Sequence, residues 1–101
     1  MKMLMKIEMP PDRFNAAVRD GTAGKTLKRI LEETRPQSVY FTEWNGHRGA
    51  LMVFDVEDSS RIPSLAEPWF LHFDATVEFR IAMTPEDLGR AGLDEIGKRW
   101  A

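Results

Sequence analysis

The chain has 101 residues, no cysteine and a formal charge of −2 at neutral pH. That length supports one domain with its own core over residues 1–101, and the missing thiols exclude disulfides, thiolate metal sites and cysteine nucleophiles. The charge balance provides no basic face for nucleic acid, no apolar run reaches the length of a membrane span, and the composition fits a reducing, cytoplasmic setting.

Met3 to Met9 reads as the first strand, with Met3, Met5, Ile7 and Met9 on one side and Leu4, Lys6 and Glu8 on the other. Lys6 and Glu8 interrupt any apolar leader, so the start does not read as a signal peptide. Pro10-Pro11 ends the strand, and Asp12 is the expected N-cap of a helix. Helical spacing then runs from Phe14 to Arg35, with a kink or break expected between Gly21 and Gly24. Arg35-Pro36 marks its end.

Asn45-Gly46 lies between two runs rich in β-branched and aromatic residues, Ser38–Trp44 and His47–Val56. This is the signature of a two-residue hairpin with positive φ at both central positions. The register follows: Trp44 opposite His47, Thr42 opposite Gly49, Tyr40 opposite Leu51. Val39, Phe41, Ala50, Met52, Phe54 and Val56 then share an apolar face. Tyr40, Thr42, Trp44, His47, Leu51 and Val53 share a mixed one.

Asp58-Ser59-Ser60 offers caps for a short helix that Glu67-Pro68 should stop, leaving Trp69–Phe73 as an aromatic connector. Ala75 to Met83 is the last strand, with Thr76, Glu78 and Arg80 on its polar side. Thr84 caps a terminal helix over residues 85–100, whose three glycines leave it dependent on packing. The order βαββαβ plus tail predicts a ferredoxin-like α+β fold. Its four-stranded antiparallel sheet has the first and third strands central and both helices on one face.

Four groups of residues are candidates for function. Gly24-Lys25-Thr26 ends like a phosphate-binding loop, but Arg19 stands where that pattern needs glycine, so it reads as a helix break. His47 and His72 lack ligand spacing, and no metal is expected; His47 reads as a solvated partner of Trp44. Lys6, Glu8, Glu78 and Arg80 share the mixed face as a charge ladder or as the polar floor of a pocket. Trp69 and His72 could wall such a pocket, and Trp69 could equally plug the core with Phe70 and Phe73. The central strands carry Leu4, Lys6, Leu51 and Val53 where RNA-binding sheets of this type stack bases, so no nucleic acid is expected.

A ferredoxin-like unit with an uncovered, half-apolar sheet face and a C-terminal extension resembles the dimeric α/β-barrel superfamily. That superfamily includes antibiotic-biosynthesis monooxygenases and muconolactone isomerase-like proteins. The resemblance covers residues 1 to about 84 and rests on element order and facing. It implies two sheets packed face to face and a pocket between sheet and helices. Haem-degrading members use an asparagine on the first strand; Leu4, Lys6 and Glu8 stand here instead, so that activity is not carried over. The segments YFTEWNGHRG and AEPWFLHFDA also resemble a small bacterial family of unassigned function. Some of its members bear a pantothenate synthetase label that nothing in this chain supports, since it is far too short and holds no nucleotide-binding motif.

The expected function is a homodimeric small-molecule-binding protein without a cofactor. The alternatives are a cofactor-independent monooxygenase- or isomerase-like enzyme on an aromatic or carbonyl compound, and a dimerisation module without ligand. The expected pocket residues are Lys6, Tyr40, Thr42, Trp69, His72 and Arg80, with His72, Glu8 and Glu78 as acid/base candidates. Leu4, Trp44, Leu51 and Val53 are the expected dimer contacts, because an exposed apolar patch marks a partner site and an identical sheet is self-complementary.

Overall fold

The computed structural model describes Met1–Ala101. Its elements are β1 (Lys2–Glu8), α1 (Pro11–Asp20), α2 (Ala23–Thr34), β2 (Ser38–Trp44) and β3 (His47–Asp55). A 3₁₀ turn (Ser59–Arg61), α3 (Ile62–Phe73), β4 (Thr76–Ala82), α4 (Pro85–Arg90) and α5 (Leu93–Arg99) follow. The sheet has the order β2-β3-β1-β4 with every pair antiparallel, the ferredoxin-like arrangement the sequence implies. Asn45 (φ 55°) and Gly46 (φ 79°) make the hairpin turn. The register runs from Trp44↔His47 to Ser38↔Val53 as predicted.

One sheet face is buried under the helices. Met3, Met5, Ile7, Ala50, Met52 and Phe54 meet Ile30, Leu65, Trp69 and Phe73 in one apolar cluster. Helix cover stops short of the sheet edges. Phe41 on β2 was expected in this core but is 53% exposed, and Ile81 on β4 is 70% exposed.

The helices differ from expectation in three places. The first begins two residues early: Pro10 is the N-cap and Pro11 the first helical residue, where its missing N–H costs nothing, so Asp12 lies inside the first turn. The expected break follows Asp20, where Gly21 takes a left-handed conformation (φ 82°). There the Asp20 carboxylate accepts from both the backbone N–H and the hydroxyl of Thr22.

Pro68 does not stop α3, which continues to Phe73. An interior proline costs about 3 kcal/mol. Stopping the helix there would withdraw Trp69 and Phe73, both essentially inaccessible, and each buried aromatic contributes about 1.5–3 kcal/mol. Their rings pack 6.0 Å apart, and Phe14 of α1 lies 5.0 Å from Phe73. Burial therefore outweighs the local stop signal.

The tail is two short helices, not one. Gly92 (φ 74°) separates α4 from α5. A reciprocal capping box between Thr84 and Asp87 starts α4. Nothing in the tail is buried: Leu88, Leu93 and Ile96 are 42–57% exposed and Trp100 is 85% exposed. The long axis is 60 Å and the radius of gyration 17.2 Å, against about 13 Å for a compact chain of this length. No helix is long and apolar enough to cross a membrane.

Candidate functional site

The sheet face turned away from α1, α2 and α3 is open. Register places its rows: Thr76, Glu8, Gly49 and Thr42; then Glu78, Lys6, Leu51 and Tyr40; then Arg80, Leu4, Val53 and Ser38. Leu4, Leu51 and Val53 are half-buried at its centre, while Tyr40 is 67% exposed on the outer strand.

Trp44 folds across this face. A Cβ built on Gly49 would lie 2.2 Å from the Trp44 Cδ1, so the indole occupies the space that a side chain at Gly49 would fill. Its N–H donates to the Ala50 carbonyl at 3.3 Å. The Lys6 ammonium sits over the ring, 4.6 Å from its centroid, a cation–π contact.

Beside it the hairpin tip clamps Glu8. His47 Nδ1 lies 2.8 Å from one carboxylate oxygen, and the Asn45 amide donates to the other at 3.2 Å. The His47 hydrogen bond, opposed in part by desolvation and aided to a lesser degree by the Asn45 amide and the charge of Lys6, holds the Glu8 carboxyl below its usual value. An ionised carboxylate only accepts, so Nδ1 carries the hydrogen. In the neutral ring Nε2 is then an unprotonated acceptor, on a side chain 45% exposed.

Across β1, the Glu78 carboxylate lies 3.7 Å from the Lys6 ammonium and 3.9 Å from the Arg80 guanidinium. Lys6, Glu8, Thr76 and Glu78 line a recess of about 40 Å³, room for one small group.

The expected site residues thus separate into three places. Lys6, Glu8, Glu78 and Arg80 do come together, with Trp44 beside them and Tyr40 and Thr42 on the same face. Trp69 does not join them: it is fully buried in the core, because α3 runs on through Pro68. His72 is exposed on the outer side of α3, beyond the core layer. It lines a groove of about 410 Å³ between α2 and α3, with Arg29, Glu33, Thr34 and Arg61, and a smaller one near Arg13 and Asp20. The layer between sheet and helices, where the superfamily resemblance placed a pocket, is filled by Met5, Ile7, Met52, Phe54, Trp69 and Phe73, each at most 2% exposed.

His47 was read as a solvated partner of Trp44; it does pair with Trp44 across the hairpin, and its contact with Glu8 is what the sequence reading missed. The signal was present but split. The hairpin register fixes His47 two residues from Gly49, and only the pairing of β1 on β3 sets Glu8 opposite Gly49.

No protein-family model matches the chain, and no curated protein matches it. One solved structure shares its fold, and two others align more weakly. A 5-chloro-2-hydroxyhydroquinone dehydrochlorinase (TftG) from Burkholderia phenoliruptrix AC1100, in complex with 2,5-dihydroxybenzoquinone, aligns with a TM-score of 0.58 at 20% identity, over 86% of this chain and 99% of that one. A formyltetrahydrofolate deformylase from Pseudomonas putida KT2440 aligns with a TM-score of 0.48 at 16% identity, over 81% of this chain and 29% of that one. A de novo designed protein, Ferredog-Diesel, aligns with a TM-score of 0.47 at 9% identity, over 80% of this chain and 85% of that one. At these identities the likeness concerns the fold.

Proposed function

We propose that the protein is a homodimer that binds a small molecule on the open sheet face, between the two copies. The observation that carries this reading is the recess at Lys6, Glu8, Thr76 and Glu78, set beside an uncovered apolar strip. At about 40 Å³ it is too small alone, since ligand sites usually span roughly 300–1,000 Å³. A second sheet laid over it supplies the missing wall. Leu4, Trp44, Leu51 and Val53 then lose their solvent contact, and the ion pairs rim the contact.

Area supports a role for the tail in the same dimer. The seven paired rows of the four strands present a face of about 19 by 23 Å. Two such faces bury about 900 Å², below the roughly 1,200–2,000 Å² of stable complexes. The exposed Leu88, Leu93, Ile96 and Trp100 supply further apolar surface if the tail reaches the partner.

The test is binding at this face. Compounds to try first are small aromatic acids and 2,5-dihydroxybenzoquinone, the molecule bound to the dehydrochlorinase of like fold. Saturable thermal stabilisation with a change in Trp44 fluorescence, weakened at least tenfold in Lys6→Met, supports the site. Binding that survives Lys6→Met but is lost in His72→Ala moves the site to the α2–α3 groove. A monomer by light scattering at micromolar concentration refutes the dimer.

A further inference from the structure

We propose that Glu8 and His47 act as a base toward an acidic hydroxyl, a phenol or an enol, bound on the open face, with Lys6 and Arg80 holding the oxyanion that results. The inference rests on the binding site proposed above and names its ligand class.

Geometry comes first. Both Glu8 oxygens are engaged, one by His47 Nδ1 at 2.8 Å and one by the Asn45 amide at 3.2 Å. The carboxylate therefore fixes both the tautomer and the tilt of the ring, leaving Nε2 as the free acceptor. Glu8 is a positioning residue; the group that meets the ligand is Nε2.

Charge then selects the ligand. In the step, the ligand O–H bond breaks, its electron pair stays on oxygen, and the proton forms an N–H bond at Nε2. The imidazolium is offset by Glu8. We place the new negative charge toward Lys6, which lines the recess with Glu8, Thr76 and Glu78; there the Glu78 carboxylate lies within 4 Å of both the Lys6 ammonium and the Arg80 guanidinium. That group carries one positive charge in excess, which favours an anion. An acidic hydroxyl suits this site better than an alcohol, because its oxyanion is the more stable and asks less stabilisation of Lys6 and Arg80. The remaining nearby charges do not compete: Glu43 is engaged by the Gly46 backbone N–H, and Arg48 turns to the helix side, bonded to Asn15 and stacked on Phe14.

The probe is 4-nitrophenol, whose ionised form is coloured. Titrated with the protein in excess, its apparent pKa should fall by about one unit, equivalent to roughly tenfold tighter binding of the phenolate than of the phenol. His47→Asn and Glu8→Gln should keep the parent's circular dichroism, since both side chains are solvent-accessible, and should lose most of the shift while still binding. A bound probe that keeps its solution pKa overturns the base and leaves the binding site standing. A full shift in both variants also overturns the base, assigning the effect to Lys6 and Arg80 alone. No saturable response to 4-nitrophenol or 2,5-dihydroxybenzoquinone overturns both readings.

Discussion

Gly49 is where a single methyl group should do most damage for its size. It lies buried in β3 opposite Glu8 and Thr42. A Cβ there would meet Trp44 Cδ1 at 2.2 Å, the Ile7 carbonyl oxygen at 2.4 Å and Trp44 Nε1 at 2.7 Å. The indole can swing aside, giving up its bond to the Ala50 carbonyl and its contact with Lys6. The Ile7 carbonyl belongs to central strand β1 and can move only with the sheet. Overpacking costs about 1–3 kcal/mol and a lost hydrogen bond about 0.5–1.5, so Gly49→Ala should destabilise by roughly 2–4 kcal/mol. For a chain of this size that lowers the Tm by about 10–25 °C. Urea and thermal melts measure it. Adding Trp44→Ala should restore only part of the loss, because the clash with Ile7 stays. A Gly49→Ala protein melting within about 2 °C of the parent would refute the close approach of Trp44 and β1 at this residue.

Pro68→Ala should stabilise the protein by about 1 kcal/mol, less than the full interior-proline penalty because alanine also frees the unfolded chain; a lower urea midpoint would show that the proline shapes the helix. Removing Pro85–Ala101 should leave the melt at low concentration near the parent's, since no tail residue is buried, while shifting light scattering from dimer toward monomer; an unchanged dimer would place the tail off the interface. Acid should act through five carboxyls held below their usual range: Glu8 by His47, Asp20 by Thr22, Asp55 by the N-terminal amine, Asp58 by Ser60 and Asp87 by Thr84. A lowered folded-state pKa gives stability that is present above the unfolded value and lost as pH falls through the folded one. The urea midpoint should therefore begin to drop as pH falls below about 5 and be insensitive to these groups well above that, and a midpoint rising on acidification would contradict the assignment.

The sheet was legible because its signals are local and strict. Asn45-Gly46 admits one turn family, and the period of two then assigns every side chain from Ser38 to Asp55 to a face. The helices were legible only in part, because their ends depend on what they bury. Pro68 reads as a stop on propensity, yet Trp69 and Phe73 extend the stripe begun by Leu65 at intervals of four. Their burial is a tertiary fact that no local rule contains. The exposure of Phe41 has the same origin: alternation assigns it to the helix face, but whether a helix reaches the edge strand depends on packing beyond the strand.

The site divides along the same line. Lys6, Glu8, Glu78 and Arg80 were readable as one group because strand order and alternation suffice to gather them. The Glu8–His47 pair needed more, namely which residue of β1 faces the hairpin tip, and that offset is set by the core side of the sheet. Met5 pairs with Met52 and Ile7 with Ala50 in the layer beneath the helices. Sliding β1 by one residue would turn Met3, Met5 and Ile7 out of the core and Lys6 and Glu8 into it. A slide by two would keep the faces but carry Glu8 past Gly49. The packing of methionines under the helices therefore fixes where a carboxylate stands on the opposite face, within 2.8 Å of His47. The geometry of the Glu8–His47 pair on the open face depends on a register held from the closed one, so variants that loosen the core near Met52 should disturb this pair before they unfold the sheet.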